Sequence, residues 1–184
     1  MTRCFIAIDF PEEIKEFLLE IISKIKKANP SENLNYTKKE NLHLTLAFLG
    51  EIDETKIEDL KKAISKIKFY KFKAKFSKLG VFPSEKFIRV LWTGLDSEKD
   101  EIFELRKDIE KVLEDLNISF DEKFKSHITL ARIKFLHNME KFVENIKKVN
   151  FAEKNIEIDR IKIKKSELGE NGSVYSDLIN IPAL

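Results

Sequence analysis

Apolar residues recur at two different periods along the chain, and their order predicts a mixed α+β fold. Apolar positions three and four residues apart are typical of amphipathic helices, because they fall on one helical face. This spacing predicts four helices, over residues 12–27, 53–67, 100–116 and 139–148. Alternating or continuous apolar runs predict strands. These strands cover residues 3–9, 34–37, 42–50, 69–79, 87–95, 126–133, 156–164 and 174–181, with a turn at Gly169-Glu170-Asn171-Gly172 before the last one.

The two halves of the chain repeat one order of predicted elements: strand, helix, strand, helix, strand. The interval from Arg3 to His43 is 40 residues, and the interval from Phe87 to His127 is also 40. Such an agreement favours an internal duplication. We therefore expect one bilobal domain over residues 1–184, with pseudo-symmetric lobes of about 1–82 and 83–184. Each lobe would be a mainly antiparallel sheet flanked by helices, with exchange of strands allowed and an active-site cleft between the lobes.

Two nearly identical tetrapeptides hold two of the three histidines: His-Leu-Thr-Leu at 43–46 and His-Ile-Thr-Leu at 127–130. In a strand, side chains at positions i and i+2 share a face, so each copy presents an imidazole beside a hydroxyl. Two imidazoles can divide the roles of acid and base near neutral pH, and hydroxyls can donate to an anionic oxygen. The set suits displacement at phosphorus. One copy alone is more typical of strand packing, whereas two matched copies favour a catalytic site.

Composition and charge limit the possible functions without selecting one. Apolar residues make up 42% and charged residues 36% of the chain, which is typical of a soluble globular protein. The 34 basic and 32 acidic residues give a net charge of +2, which argues against a general polyanion-coating protein but leaves room for a local basic cleft. Glutamine is absent while lysine, glutamate and isoleucine abound, as in many thermophile proteins.

The remaining compositional signals concern partners, metals and location. Cys4 is the only thiol, so no internal disulfide can form, and nothing in the spacing suggests a metal site. No apolar run is long enough to span a bilayer, and the run after Arg3 is too short for a signal peptide. We expect a cytoplasmic monomer without a cofactor. The third histidine, His137, lacks the motif and is interpreted as a surface residue.

The chain resembles the 2H phosphoesterases, and within them the LigT branch of RNA 2′,3′-cyclic phosphodiesterases, once described as 2′-5′ RNA ligases. The likeness extends over essentially the whole chain. It rests on the following blocks: Arg3-Cys4-Phe5-Ile6-Ala7-Ile8, Leu42-His43-Leu44-Thr45-Leu46-Ala47-Phe48-Leu49-Gly50, Arg89-Val90-Leu91-Trp92 and His127-Ile128-Thr129-Leu130-Ala131-Arg132.

The resemblance implies an activity and a role for each motif residue. An RNA 2′,3′-cyclic phosphate end would be hydrolysed without a metal to leave a 2′-phosphate. His127 would accept a proton from the attacking water, and His43 would donate one to the leaving 3′ oxygen. Thr45 and Thr129 would hold the non-bridging oxygens of the phosphorane-like transition state. The two motifs are almost symmetric, so the residues alone do not distinguish acid from base. Ligation to a 5′ hydroxyl could be a side activity.

Several other side chains are candidates for substrate binding. Arg89 and Arg132 could bind phosphate through their planar guanidinium groups. Strict alternation places Arg132 on the face opposite His127, which favours a surface salt bridge unless a bulge turns it. The aromatic residues Phe48, Phe124 and Tyr175 could stack on a terminal base, although a core role is the more usual one.

Two other functions remain open at this stage. One is a cyclic phosphodiesterase for a small nucleotide or a nucleotide-derived compound. The other is a non-catalytic RNA-binding module, in which basic strands contact phosphates. Lys71, Lys73 and Lys75 share one face of a predicted strand, and a solvated strand face explains them more simply than an RNA track does.

Overall fold

A computed structural model describes residues 1–170 and 172–184, and the fold within them is α+β, as predicted. The helices are α1 (Glu12–Ala28), α2 (Glu54–Ile64), α3 (Glu101–Asp115) and α4 (Met139–Lys148), with a single 3-10 turn at Lys39–Asn41. The strands are β1 (Thr2–Asp9), β2 (Asn33–Tyr36), β3 (His43–Ile52), β4 (Phe72–Ser84), β5 (Phe87–Ser97), β6 (His127–Phe135), β7 (Asn155–Ile158), β8 (Arg160–Gly169) and β9 (Gly172–Pro182).

All nine strands belong to one antiparallel sheet, in the order β7-β4-β5-β6-β3-β1-β8-β9, with β2 also paired to β6. The motif strands β3 and β6 are neighbours, but the bridge between them is limited to Leu44 and Ile128. This narrow junction divides the sheet into a first half-sheet of β9, β8, β1 and β3 and a second half-sheet of β6, β5, β4, β7 and β2. The two motif histidines therefore lie beside the junction of the two half-sheets.

Each half-sheet contains strands from both parts of the chain. The expected lobe boundary near residue 82 lies in the β4–β5 hairpin, whose two strands are paired along most of their length. Strands β8 and β9 lie in the first half-sheet, and β2 and β4 lie in the second. A division into consecutive lobes would therefore require exchange of these strands between the halves.

The helices cover one face of the sheet with the apolar stripes that the sequence predicted. In α1 the stripe is Ile14, Leu18, Ile21, Ile22 and Ile25, all of which are buried. Burial of one such aliphatic side chain stabilises the fold by about 1.5–3 kcal/mol. The motif leucines Leu44, Leu46 and Leu130 and the motif Ile128 are fully buried in the same core. The alternating positions of the motifs, which carry the histidines and threonines, are thereby turned to the other face.

The predicted boundaries differ from the observed ones most at β4 and at the predicted strand over residues 156–164. The prediction of one continuous strand there is wrong, because the segment forms β7, which pairs with β4, and β8, which pairs with β1 in the other half-sheet. The predicted strand at 69–79 begins later, at Phe72, and extends to Ser84. Its alternation is confirmed, because Phe72 is buried while Lys73 and Lys75 are exposed. The predicted turn before β9 brings Gly169 opposite Gly172, and Asn171 lies outside the described residues. Helix α4 has the predicted bounds, and Asn138 caps it by accepting a hydrogen bond from the Lys141 amide.

In the described part of the chain, no helix combines the length and the apolar character that crossing a bilayer requires.

Candidate active site

A β-bulge at the last residue of the first motif changes which side chains face the site. On β1, Ile6 pairs with Ala47 and the next residue, Ala7, pairs with Thr45, so that Leu46 is the additional residue of the bulge. Leu46 and Ala47 are consequently both buried. Phe48 is turned to the face that carries Thr45, and it is exposed there.

A matching bulge lies at the last residue of the second motif. On β5, Leu91 pairs with Ala131 and Trp92 pairs with Thr129, so that Leu130 is the additional residue. Arg132 is thereby turned to the face of Thr129. The prediction of a surface salt bridge for Arg132, which strict alternation favoured, is wrong, since Arg132 lines the cleft that contains both motifs. The bulge that the sequence allowed as an exception to strict alternation is present, with Leu130 as its additional residue.

The two motifs meet in one cleft of about 380 Å³, lined by His43, Thr45, His127 and Thr129. The structure also brings four other predicted residues to this cleft: Phe48, Phe124, Arg132 and Tyr175. Arg89 is not among the lining residues. Its side chain is exposed, and its guanidinium lies 4.6 Å from the centroid of the Phe87 ring.

His43 is fixed by two polar contacts and by packing against two aromatic rings. Its Nδ1 lies 2.8 Å from the carbonyl oxygen of Asn41, and because a carbonyl oxygen only accepts, Nδ1 carries the hydrogen. Its Nε2 lies 3.0 Å from Oγ1 of Thr45. The ring also packs against Phe5 at 4.9 Å and against the edge of Tyr175 at 5.4 Å between centroids. The orientation of the imidazole is therefore set on several sides.

His127 is held in a similar way from its own half-sheet. Its Nδ1 donates to the carbonyl oxygen of Lys125 at 2.7 Å. Phe82 packs edge-on against the ring at 4.9 Å. The ammonium group of Lys125 lies 4.2 Å from the centroid of Trp92, a cation–π geometry that holds a positive charge next to the histidine. No hydrogen bond to Nε2 of His127 occurs among the described residues.

The pKa values of both histidines lie below that of a free imidazole. Burial lowers the pKa of His43 to about 4, and its hydrogen bond to Asn41 opposes this only in part. Burial also lowers the pKa of His127, with a further contribution from the charge of Lys125. Both rings are therefore neutral near pH 7, with Nδ1–H engaged and a lone pair on Nε2.

The cleft is much more positive than the chain as a whole. Its lining contains Lys38, Lys123, Lys125 and Arg132 against a single carboxylate, Asp121. The sequence analysis missed the three lysines and Asp121. For Lys125 the signal was available, because it lies two residues before His127. Lys38 reaches the cleft only through the pairing of β2 with β6, which has no local signature.

A half-buried charge network lies beside His43 and was also missed. Asp9 pairs across the strands with His43, and it accepts hydrogen bonds from Lys162 at 3.2 Å and from Lys164 at 2.9 Å. Lys15 lies 3.0 Å from the other oxygen of Asp9. Although burial opposes ionisation, the hydrogen bonds of Lys164 and Lys15 hold the pKa of Asp9 well below its usual range. The network therefore fixes one carboxylate and three ammonium groups beside the first motif.

Among residues 1–170 and 172–184, no group of three or more His, Cys, Asp or Glu side chains is arranged so that it could hold a metal ion.

Comparison with known proteins identifies relatives over nearly the full length. The family model described as LigT like Phosphoesterase matches residues 8–92 and 94–175. The RNA 2′,3′-cyclic phosphodiesterase of Methanocaldococcus jannaschii is 36% identical over 176 residues, which is 94% of this chain and 96% of that protein. The protein of the same name from Thermotoga maritima is 35% identical over 179 residues, or 96% of this chain and 92% of that protein.

Solved structures show the same fold. A crystal structure of a Thermus thermophilus protein superposes with a TM-score of 0.82 at 27% identity, covering 98% of this chain and 97% of that one. The crystal structure of Escherichia coli LigT with 3′-AMP has a TM-score of 0.77 at 22% identity, covering 99% of this chain and 97% of that one.

Proposed function

The chain belongs to the LigT-like phosphoesterase family, and we propose that it hydrolyses RNA 2′,3′-cyclic phosphate ends to 2′-phosphomonoesters by acid and base catalysis from two histidines. The observation that carries this proposal is the convergence of both His/Thr pairs on one positively charged cleft. The names of the relatives supply the substrate class.

The proposed reaction needs only a water molecule besides the substrate. Nε2 of His127 takes a proton from water while the water oxygen forms a bond to phosphorus. The bond from phosphorus to the 3′ oxygen breaks, and Nε2–H of His43 delivers a proton to that oxygen. The products are a 3′ hydroxyl and a 2′-phosphate. Each proton transfer typically accelerates such a step by about 10²- to 10⁴-fold.

The hydrogen bonds of the two rings support these roles. Each Nδ1–H is engaged by a backbone carbonyl, which leaves Nε2 as the atom available for chemistry. Since Nε2 of His127 has no partner among the described residues, its lone pair can accept a proton from water. His43 must be protonated to act as an acid. The anionic phosphate favours the charged imidazolium, so substrate binding raises the pKa of His43 from its low value in the empty cleft.

Thr45, Thr129 and Arg132 are proposed to hold the non-bridging oxygens. The bulge at Leu130 turns Arg132 to the face of Thr129, so that its planar donors reach the same cleft. Preorganised donors stabilise the charge that develops on these oxygens. When the hydroxyl of Thr45 donates to phosphate, it releases Nε2 of His43 from the 3.0 Å contact present in the empty cleft.

The surplus of cations around the cleft favours an RNA end over a mononucleotide. A cyclic mononucleotide carries a single phosphate, whereas the cleft carries Lys38, Lys123, Lys125 and Arg132. An oligonucleotide presents additional phosphates to these groups. Its binding should weaken at higher salt concentration, because the release of counterions from the phosphates then contributes less free energy. The oligomer should therefore be turned over with a lower KM than the mononucleotide at low salt. The reverse preference would identify a small-nucleotide enzyme.

The proposal includes an origin of the site by internal duplication with exchange of strands. An offset of 84 residues relates His43 to His127, Thr45 to Thr129 and Phe48 to Arg132. It also relates the two bulges, and the family model matches the chain in two consecutive segments. Arg132 occupies the position in the second copy that Phe48 occupies in the first. The duplicated position thus carries an aromatic side chain in one half-sheet and a cation in the other.

Single substitutions of the two histidines test the mechanism. His43→Ala and His127→Ala should each abolish most turnover of an oligoribonucleotide with a 2′,3′-cyclic end, while thermal unfolding remains cooperative. His137→Ala is the matched control, because His137 is exposed and lies outside the cleft. Near-normal turnover in either motif variant would defeat the two-histidine mechanism.

Two further assays, one of salt-dependent RNA binding and one of ligation to a 5′ hydroxyl, separate the remaining alternatives. A binding module would retain RNA in a salt-dependent way but leave the cyclic end unchanged. Ligation of a cyclic end to a 5′ hydroxyl would use the same roles, with His127 taking the proton of the attacking 5′ hydroxyl and His43 giving a proton to the leaving 3′ oxygen. The same two alanine variants should therefore lose any ligase side activity together with hydrolysis.

A further inference from the structure

The gap between the two motif strands is closed by side chains and not by strand pairing. Strands β3 and β6 are bridged at Leu44 and Ile128 and diverge beyond that point. The edge of β3 past Leu44 therefore presents backbone groups that need other partners, because unpaired backbone groups are costly when buried. Arg106 of α3 and Asp121 of the loop before β6 supply those partners.

Arg106 is almost completely buried, with 2% of its side chain exposed. Its Nη1 donates to the carbonyl oxygen of Leu46, the additional residue of the first bulge. Its Nη2 donates to the carbonyl oxygen of Asp121, and Nη1 also lies 3.3 Å from the Asp121 carboxylate. Nε donates to Glu110 at 2.6 Å. One guanidinium group thus joins the first motif strand to the loop that leads into the second.

The guanidinium also lies over two aromatic rings. The centroids of the Phe120 and Phe124 rings lie 5.1 and 5.5 Å from its central carbon. Because a planar guanidinium combines in-plane donors with stacking faces, a lysine cannot reproduce the set of contacts. Phe124 also lines the cleft, so that the position of Arg106 affects the cleft wall directly.

Asp121 completes the connection just past the bulge. Its carboxylate accepts a hydrogen bond from the amide of Phe48 at 2.7 Å. Its own amide donates to the carbonyl oxygen of Phe48 at 3.2 Å. This reciprocal pair imitates one rung of an antiparallel ladder, and it lies where β3 has lost β6 as a neighbour.

We infer that Arg106 and Asp121 form a positioning clamp that fixes how far the two motif strands diverge, and thereby sets the spacing of His43 and His127 in the cleft. Neither residue reacts with substrate in this scheme. The inference deepens the proposed function and rests on it, since turnover is the principal readout. A displacement of about 1 Å between reacting groups can cost about a hundredfold in rate.

Charge and position predict opposite effects for Asp121, which makes it the most informative residue to replace. Asp121 is the one carboxylate in a cationic cleft. Its removal should improve the binding of an anionic substrate if its effect on the reaction were purely electrostatic. Improved binding alone would raise kcat/KM. The clamp instead predicts a lower kcat, and therefore a lower kcat/KM, because Phe48 and the loop lose their connection.

The test measures kcat, KM and thermal unfolding for Asp121→Ala, Arg106→Ala and Arg106→Lys. Lys107→Ala is the matched control on α3, since Lys107 is exposed and contacts only Glu104 among the described residues. We expect Asp121→Ala and Arg106→Ala to lower kcat by at least tenfold in folded protein, with a much smaller change in KM. Arg106→Lys should restore only part of kcat, and the double alanine variant should lose little more than either single variant.

Wild-type turnover in the same experiment keeps the two claims separate. Asp121→Ala with unchanged or increased kcat, beside an active wild type, would overturn the clamp and leave the proposed function standing. Loss of activity in proportion to the loss of folded protein would also overturn it. An inactive wild type would reject the proposed function itself.

Discussion

Replacement of His43 by glutamine should make the protein less sensitive to acid. Glutamine is uncharged at every pH and similar in size to histidine. Burial lowers the pKa of His43 to about 4 in the folded chain, against 6.5 for an ordinary imidazole. Between these values the unfolded chain binds more protons than the folded one, so acidification favours unfolding. The contribution is nearly constant above pH 7 and is lost as the pH falls from about 6.5 to 4.

The size of the effect follows from these two pKa values. One pKa unit corresponds to about 1.4 kcal/mol, so the full shift is worth about 3 kcal/mol once both states are protonated. Between pH 7 and pH 4.5, His43 should cost the wild type about 2 kcal/mol of unfolding free energy that the glutamine variant does not lose. Carboxylates that titrate in the same range are common to both proteins and cancel in the comparison.

Denaturation by guanidinium chloride at the two pH values measures this difference. High salt weakens the charge contributions of Lys164 and Asp9, but it leaves the main cause, burial of the ring, in place. His127→Gln should show an effect of the same sign, since burial also lowers the pKa of His127. Equal losses of stability in the wild type and in His43→Gln would refute the assignment of a buried, neutral imidazole.

Three further predictions concern the cleft, the packing of Trp92 and the thermal stability of the chain. Arg132→Ala should raise KM for an RNA end and reduce the slope of log binding constant against log salt by about 0.7, whereas Arg89→Ala, which lies outside the cleft, should change neither. Gly80→Ala should destabilise the protein by about 1–3 kcal/mol in denaturant unfolding, because a Cβ there would clash with the Trp92 ring; a neutral effect would contradict the close packing. The charge-rich, glutamine-free composition predicts cooperative melting above about 65 °C, and a Tm within the usual mesophile range would contradict a thermophilic adaptation.

Local periodicity accounts for the parts of the fold that the sequence predicted well. Helix α4 has its predicted bounds because the spacing of Phe142 and Ile146 and the cap at Asn138 are all local signals. The motif strands were predicted because their buried Leu44 and Ile128 alternate with polar residues. Such patterns report which face of an element is buried, and this was enough to place each histidine on the same face as the threonine of its own motif.

The residues that the sequence did not place correctly depend on contacts between distant segments. The bulges arise from the register of β3 against β1 and of β6 against β5, so the direction of Arg132 could be posed only as an exception to strict alternation. The contribution of β4, β8 and β9 to opposite half-sheets likewise depends on long-range pairing. Arg106 looked like an ordinary charged residue of an amphipathic helix, and its burial follows from the gap between β3 and β6.

The most direct test of the central claim is a product analysis in the presence of EDTA. The wild type, His43→Ala and His127→Ala would each be offered an oligoribonucleotide with a 2′,3′-cyclic phosphate end, and the position of the product phosphate would be determined. The two-histidine mechanism predicts a 2′-phosphate from the wild type and almost no product from either variant. A 3′-phosphate product, or activity that requires a divalent ion, would contradict it.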